Sequence, residues 1–473
     1  MTTVPSPGRA AVAATLCVVT AALFAYSTLE TMLSPALPAI QHAVGASAPE
    51  IAWVFTGLLL AGAVSTPLVG RLADVRDKRT VLLGVLAVVG LGTLLAAIAT
   101  NVALLTAGQV LQGVGLSLVA LSVGIIRDTQ PARRVAAGNG LIVGTAASST
   151  AVGLVIAGPI LEVLPCTWLY WIPFAVLVAA FAVAWAVVPP CPPARRGRID
   201  FTGAILLAFG LALLLIGISR SSKAGWGSPL VLSLLVAGVA VLGVFAAVEL
   251  RTDEPLVNLR LLGMRAVLLT CAVAFVVGFG TFAVFVLVPM LVELPPTTGY
   301  GLGGSALSTG LYLVPLGVVG TAVAPLAGRF ERVIGTRGVM FVGAVAMVAA
   351  ALVLLTAPGR PWLILVSTAL AGLTVGFGLT GAMNIVVATV PEDRTASVSG
   401  LVFVVKSIGG ALGAQLGAVL LAQSTAPAAE TPAWAGFQSA FLLAAGVSLA
   451  AVLLSIALPA RLPRAATAIG EPA

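Results

Sequence analysis

Two ionisable side chains stand inside long apolar runs. Glu30 lies about twenty residues into the first of them, and Lys406 about ten residues into the stretch 396–422. A charged side chain at the centre of a bilayer costs roughly 2.5–3.5 kcal/mol even on lenient insertion scales, so such residues usually face a cavity and work there. A carboxyl takes up either a proton or a cation, not both, and that competition is the chemistry of exchange. Pro35 and Pro38 follow Glu30 and disturb the helix. The passive alternative for Glu30 is a carboxylate solvated near the outer interface. For Lys406 it is a side chain snorkelling toward the cytoplasm. Neutral polar residues recur in other runs, among them Gln109, Gln112, Asn384 and Gln415. Each can meet a substrate or hydrogen-bond a neighbouring helix.

Other constellations fail on context. Gly376-Phe377-Gly378-Leu379-Thr380-Gly381 matches the dinucleotide fingerprint, but it lies in an apolar run and follows no strand. Cys17, Cys166, Cys191 and Cys271 show neither paired nor metal-ligand spacing. His42, expected in the first outer loop, is the single histidine, so no zinc site is composed. No loop accommodates a nucleotide-binding domain. The chain is therefore expected to need no metal, cofactor or nucleotide, and to act as a monomer.

The elements that must position these residues are membrane helices. Of 473 residues 60% are hydrophobic and 8% charged, against about 25% charged in a soluble protein. This excludes a water-soluble fold, and disorder with it. Fourteen apolar runs, each near or above the ~20 residues that span a bilayer, fall at 11–33, 51–70, 80–100, 103–126, 135–161, 168–188 and 201–219, then 229–249, 266–291, 305–327, 337–357, 361–389, 396–422 and 434–458. Their continuity excludes a β-barrel. The runs 103–126 and 361–389 are the least cleanly bounded. The first run is too long for a signal peptide and contains Glu30, so it is expected to remain as a helix.

Lys and Arg orient the runs. With the N-terminus inside, only Arg220, Lys223 and Arg360 fall in outer loops and Lys406 in a helix, which leaves 20 of the 24 basic residues in cytoplasmic segments. Both termini are expected to be cytoplasmic. The net charge of +8 is thus a topology signal spread over every inner loop, and no nucleic-acid patch forms. Pro67-Leu68-Val69-Gly70-Arg71 recurs as Pro325-Leu326-Ala327-Gly328-Arg329; Pro131-Ala132-Arg133-Arg134 and Gly140-Leu141 are answered at nearly the same spacing by Pro391-Glu392-Asp393-Arg394 and Gly400-Leu401. These repeats predict an N-terminal six-helix bundle (1–188), a Pro-rich basic linker (189–200), an added helix pair (201–249), a second linker (250–265), a C-terminal six-helix bundle (266–458) and a tail (459–473). Parallel repeats of this kind build secondary transporters whose site lies near the midplane.

Gly70-Arg71-Leu72-Ala73-Asp74-Val75-Arg76-Asp77-Lys78-Arg79 resembles the signature loop of the major facilitator superfamily, with Val75 and Asp77 departing from the usual pattern. Leu29-Glu30-Thr31 before Ser34-Pro35-Ala36-Leu37-Pro38, then Trp53, and Arg198-Ile199-Asp200-Phe201-Thr202-Gly203 resemble the fourteen-helix drug:proton antiporter branch. The resemblance implies an all-α polytopic fold of two six-helix bundles plus two helices. It implies a cytoplasmic gate built from Gly70, Arg71, Asp74, Arg76, Lys78 and Arg79, with Asp128 a partner for one of the basic residues. In the family the loop's Asp bridges to the far half. Asp74 is then expected to favour the outward-facing state, near the N-terminus of the thirteenth helix, where a carboxylate is worth about 0.3–1 kcal/mol. Gln109-Val110-Leu111-Gln112-Gly113-Val114-Gly115 keeps the family's Gln-Gly-x-Gly but has an amide where an Arg linked to proton coupling is common. Gly153, Gly158 and Pro159 resemble the antiporter signature of the fifth helix; close packing by small residues is the bland alternative.

The expected function is export of hydrophobic or cationic small molecules by proton antiport across a lipid bilayer, with Glu30 and Lys406 coupling the flows and Gln109, Gln112, Asn384, Gln415 and Trp53 in the cavity. A facilitator or differently coupled exporter is the alternative within this fold. A non-transporting sensor or intramembrane enzyme is the alternative outside it.

Overall fold

The computed structural model describes residues 9–456 apart from 131, 192–198, 359, 390, 391 and 426–430. Most of the first linker, Pro131, Pro391 and the tail therefore lie outside the described residues. Among those described, every regular element is a helix. In lipid this is the expected solution, because a helix satisfies its backbone hydrogen bonds internally. Fourteen helices are long and apolar enough to span a membrane. They are α1 (Ala14–Val44), α2 (Ala48–Val75), α3 (Lys78–Ala97), α4 (Val102–Thr129), α5 (Gly144–Val163), α6 (Trp168–Val187) and α7 (Phe201–Ala224). Then come α8 (Pro229–Glu249), α9 (Arg265–Glu293), α10 (Ala306–Gly335), α11 (Arg337–Leu355), α12 (Trp362–Val386), α13 (Val398–Gln423) and α14 (Trp434–Leu453).

The first helix is longer than the hydropathy run. It carries Pro35 and Pro38 in its interior and His42 in its last turn, so His42 is helical rather than in a loop. Prolines are tolerated in a membrane helix whose neighbours re-satisfy the freed backbone groups, and residues 31–38 are buried throughout. The next helix starts earlier than expected because Ser47 caps it: the Ser47 N–H and Oγ both donate to Glu50 Oε2, at 2.9 and 2.6 Å, a capping box. The two poorly bounded runs are the two irregular helices. In α4, Gly113–Ser117 winds tightly as 3-10. In α12, Thr374–Leu379 widens to π geometry. Each is the fourth helix of its half, and the glycines that break it are those of the Gln-Gly-x-Gly and Gly-x-Gly-x-x-Gly segments.

Packing joins α1 to α5 and α9 to α13 within the halves, and α2 to α13 and α5 to α10 between them. The added pair packs on itself, and α7 also leans on α2 and α13. On α8, Leu230, Val236 and Val239 are exposed, as apolar side chains facing lipid would be.

The four helices that join the halves behave differently at their two ends. Helices alternate in direction, so one face of the molecule carries the loops α2–α3, α4–α5 and α6–α7. We call it the basic face. Near the opposite face, Gly158 of α5 lies against Leu307 of α10, Gly310 of α10 against the Leu154 carbonyl, and Gly410 of α13 against Leu59 of α2. Thr56 Oγ1 donates to Gln415 Oε1 (3.2 Å), and Gln415 Nε2 donates to the Pro49 carbonyl (3.1 Å). Ser34 Oγ donates to the Phe285 carbonyl at 2.8 Å. Phe55 meets Phe282 and Phe285 with ring centroids 5.9 and 6.2 Å apart. Nearer the basic face of the same four helices, Gly70, Gly144, Gly328 and Gly400 have open space where a Cβ would stand. The halves are in close contact at one face, whereas these four glycines at the basic face touch no neighbour.

Gly158→Leu should therefore weaken the seal, since overpacking costs ~1–3 kcal/mol. With the four native cysteines replaced and a probe at Thr56→Cys, labelling by an impermeant maleimide from the sealed face should rise roughly 10- to 100-fold. Unchanged labelling would show that the glycine contact does not hold the halves together.

Candidate functional site

Glu30 stands on α1 and Lys406 on α13, one in each half. Both side chains are partly exposed. Each lies within the electrostatic reach of the other, yet among the described residues no ion pair within 4.0 Å joins them. One turn from Glu30 toward the basic face, Tyr26 is buried with its ring against Gly115 of α4. A Cβ there would overlap the ring, which accounts for the second glycine of Gln-Gly-x-Gly. Three residues before Gly115, on the same face of the helix, Gln112 is fully buried. Among the described residues its amide atoms and the Tyr26 hydroxyl have no hydrogen-bond partner. A buried polar group left unpaired costs about 1–3 kcal/mol, so Tyr26, one turn from Glu30, and Gln112 are the kind of feature retained for function. Gln109, also fully buried, donates through Nε2 to Tyr170 Oη of α6 at 3.5 Å.

Three side chains expected in the cavity are engaged elsewhere. The Trp53 indole donates to Ser219 Oγ of α7 at 3.2 Å, so it fastens the added pair. Gln415 is part of the seal. Asn384 Nδ2 donates to Glu331 Oε2 at 2.8 Å, which ties α12 to the basic end of α10. In each case a partner on another helix satisfies the polar group better than an open cavity would.

At the basic face, α2 continues through Arg71 and Asp74 to Val75, and only Arg76 and Asp77 form the turn. Arg71 pairs with Glu254 of the α8–α9 linker at 2.6 Å. Lys78 pairs with Asp128 at the end of α4, and the Arg79 guanidinium donates to the Trp185 carbonyl of α6. Asp77 caps α3, its Oδ2 accepting from Thr80 N (3.1 Å) and Oγ1 (2.9 Å), while its Oδ1 accepts from Cys191 N at 2.5 Å. Lys78 N closes this clasp by donating to the Cys191 carbonyl at 3.1 Å. Burial, with Asp128 and Asp77 nearby, pushes the Cys191 thiol up to about 11, while Lys78 acts the other way. Asp74 and Arg76 are exposed.

The sequence profile of the Major Facilitator Superfamily matches residues 19–414 and, in a second match, 270–473. The chain belongs to this superfamily. A multidrug resistance protein B homolog of Mycobacterium tuberculosis is 30% identical over 394 residues, covering 80% of this chain and 70% of its own. Puromycin resistance protein pur8 of Streptomyces alboniger is 29% identical over 446 residues, covering 90% of this chain and 87% of its own. An MFS-type transporter of Mycobacterium tuberculosis is 27% identical over 389 residues, or 80% of this chain; the chain spans about half of that relative's length, 55%. Among solved structures, the nucleoside transporter NupG superposes with a TM-score of 0.61 at 12% identity, over 94% of this chain and 98% of its own. The human organic anion transporter MFSD10 does so with a TM-score of 0.60 at 16% identity, over 94% of this chain and 99% of its own. At these identities the likeness is one of fold.

Within this major facilitator protein the glycines of α5 serve two interfaces. Gly153 admits Thr28 and Thr31 of α1, inside the N-terminal half, whereas Gly158 admits Leu307 of the other half, and Pro159 follows within the helix. The aromatic contacts at the seal were not anticipated. Phe282 and Phe285, 5.6 Å apart between ring centroids, share a helix face at i, i+3, but apolar residues at that spacing occur along every span. Tyr26 was also missed; its only sequence signal is a hydroxyl one turn from Glu30.

Asp77→Ala removes both a helix cap, worth ~0.5–2 kcal/mol, and the acceptor for Cys191 N. Alkylation of Cys191 at pH 8 should speed up roughly tenfold, because access grows and a nearby negative charge is lost. An unchanged rate would mean that the clasp does not hold the linker.

Proposed function

We propose that this protein exports hydrophobic or cationic small molecules in exchange for protons, by alternating access, with the basic face in the cytoplasm and both termini on that side. The observation that carries the reading is the Glu30–Lys406 pair: opposite charges on different halves, within electrostatic reach of each other and, among the described residues, without a direct ion pair. With Glu30 ionised the two charges balance. A proton on Glu30 leaves Lys406 as uncompensated positive charge, which repels a cationic substrate; loss of the proton restores a site that tolerates one. Proton and substrate thus exclude each other. One proton moving inward through 100 mV releases about 2.3 kcal/mol, enough for a roughly 50-fold gradient of a neutral substrate; for a monovalent cation exchanged one for one the charge movements cancel and the pH gradient alone drives export. Relatives named for multidrug, puromycin and lincomycin resistance support drug-like cargo.

Closure of the basic face would bring the ends of α2 and α13 together. Asp74, exposed while that face is open, is positioned on the last turn of α2 to meet the positive end of α13. This gives the signature loop its gate role: Asp74 is released in the open state and engaged in the closed one.

In proteoliposomes, Glu30→Gln should abolish efflux driven by a pH gradient while leaving membrane insertion intact, and Glu30→Asp should keep part of the flux. Undiminished coupled transport by Glu30→Gln would sink the assignment. A facilitator is the second reading, favoured by Gln109, which bonds Tyr170 and brings no fixed charge. Transport by the wild-type protein that ignores a protonophore would select it.

A further inference from the structure

At the basic end of the added pair, two carboxyl groups face each other where neither the seal nor the central path uses them. Asp200 caps α7, its Oδ1 accepting from Gly203 N at 2.8 Å. Glu249 ends α8; it is 1% exposed, and its Oε1 accepts from Val257 N at 3.3 Å. The space that a Cβ on Gly203 would fill lies 2.5 Å from Asp200 Oδ2 and 2.7 Å from Glu249 Oε1. These oxygens are therefore at most about 5 Å apart, within the span that a hard cation held at ~2.0–2.6 Å from each would bridge, the shorter end being magnesium's. Among the described residues, Asp200 Oδ2 and Glu249 Oε2 are buried and without a hydrogen-bond partner, and so is Asn258 Oδ1, next in the chain to Val257. No basic side chain among the described residues forms an ion pair with either carboxylate. The nearby Arg260 donates instead to the Leu250 carbonyl at 2.8 Å.

Acceptors without donors, carrying paired negative charge, require positive charge between them. We propose that Asp200 and Glu249 hold a divalent hard cation of the magnesium class. The donor atoms are all oxygen, the preference of hard cations. Magnesium commonly uses one or two carboxylates and keeps several waters, which suits the part-exposed Asp200. The ion would lock the start of α7, the end of α8 and the linker to α9 into one unit. That linker also carries Glu254, the partner of Arg71 in the signature loop.

The test uses the purified full-length protein in nanodiscs, stripped with EDTA and titrated with MgCl2 or CaCl2 against NaCl at matched ionic strength. Calorimetry should show one divalent site, and magnesium should raise the unfolding temperature by several degrees where sodium does not. Asp200→Asn and Glu249→Gln should each weaken magnesium binding at least about tenfold, while Glu254→Gln, at the neighbouring surface ion pair, should leave it unchanged. Gly203→Ala, which fills the gap between the carboxylates, should weaken binding without touching a ligand. If these variants fail to fold, wild-type calorimetry decides alone. Absence of a divalent site at millimolar magnesium overturns the proposal, and so does stability that follows pH but not magnesium, since a shared proton would then hold the pair.

Discussion

Burying a charge in hydrocarbon costs enough that the position of each charge in this chain must be accounted for. The penalty confines basic residues to the helix ends, and where one is drawn inward, as Lys78 is, a carboxylate meets it at Asp128. It also accounts for Glu30 and Lys406 being largely withdrawn from the surface, each within the electrostatic reach of the other. The two belong to different halves, so any relative movement of the halves changes the separation of opposite charges.

Movement between the halves depends on where they touch. A glycine set against a facing backbone lets two helices approach closely, and the contact is short-ranged, so it is either fully made or lost. The contacts at Gly158, Gly310 and Gly410 are of this kind, and the glycines at the basic ends of α2, α5, α10 and α13 face space instead. Four helices with small residues at both ends can form such contacts at one end or the other. Phe55, Phe282 and Phe285 add bulk at the sealed end only. This aromatic contact separates the two ends chemically: one is plugged by rings, the other ringed by basic side chains.

The number of spans and the superfamily were legible in the sequence because both rest on signals that are local and additive: twenty apolar residues make a span whatever surrounds them, and Gly70 to Arg79 form one contiguous motif. Boundaries were less legible. Pro35 and Pro38 suggested that the first helix ends early, but the burial that lets it continue to Val44 comes from other helices. The cavity was least legible. A polar residue in an apolar run announces that it needs a partner, yet Trp53, Gln415 and Asn384 find theirs on α7, on α2 and on Glu331 at the end of α10. Which neighbour is reached depends on the angular position of each residue and on which helix lies beside it, and neither is written in one sequence. The poor delimitation of 103–126 and 361–389 was, in retrospect, a structural signal: glycine pairs disturb the hydropathy pattern and the helix in the same place.

The added pair is held in two physically different ways. At the sealed end it has polar ties to both halves: Lys223 to Glu50 at 2.9 Å and Ser219 to Trp53 on one side, and the Ser221 carbonyl to Gln423 at 3.3 Å on the other. At the basic end the polar ties found among the described residues, Asp77 to Cys191 and Arg71 to Glu254, join its two linkers to the N-terminal half. Toward the C-terminal half, α7 and α8 meet α9 and α13 through apolar side chains, among them Leu207, Phe245, Cys271 and Leu401. A cavity of about 270 Å³ lined by Leu60, Ala63, Leu211, Ile408 and Leu412 lies in the same region, between the added pair, α2 and α13. Hydrogen bonds and ion pairs fix direction and distance, whereas apolar contacts are non-directional. A pair attached in this way follows the N-terminal half and lets α13 slide against it, with the cavity taking up the change in packing. The two helices are thus fastened by directional polar ties to one half and held to the other mainly by apolar packing.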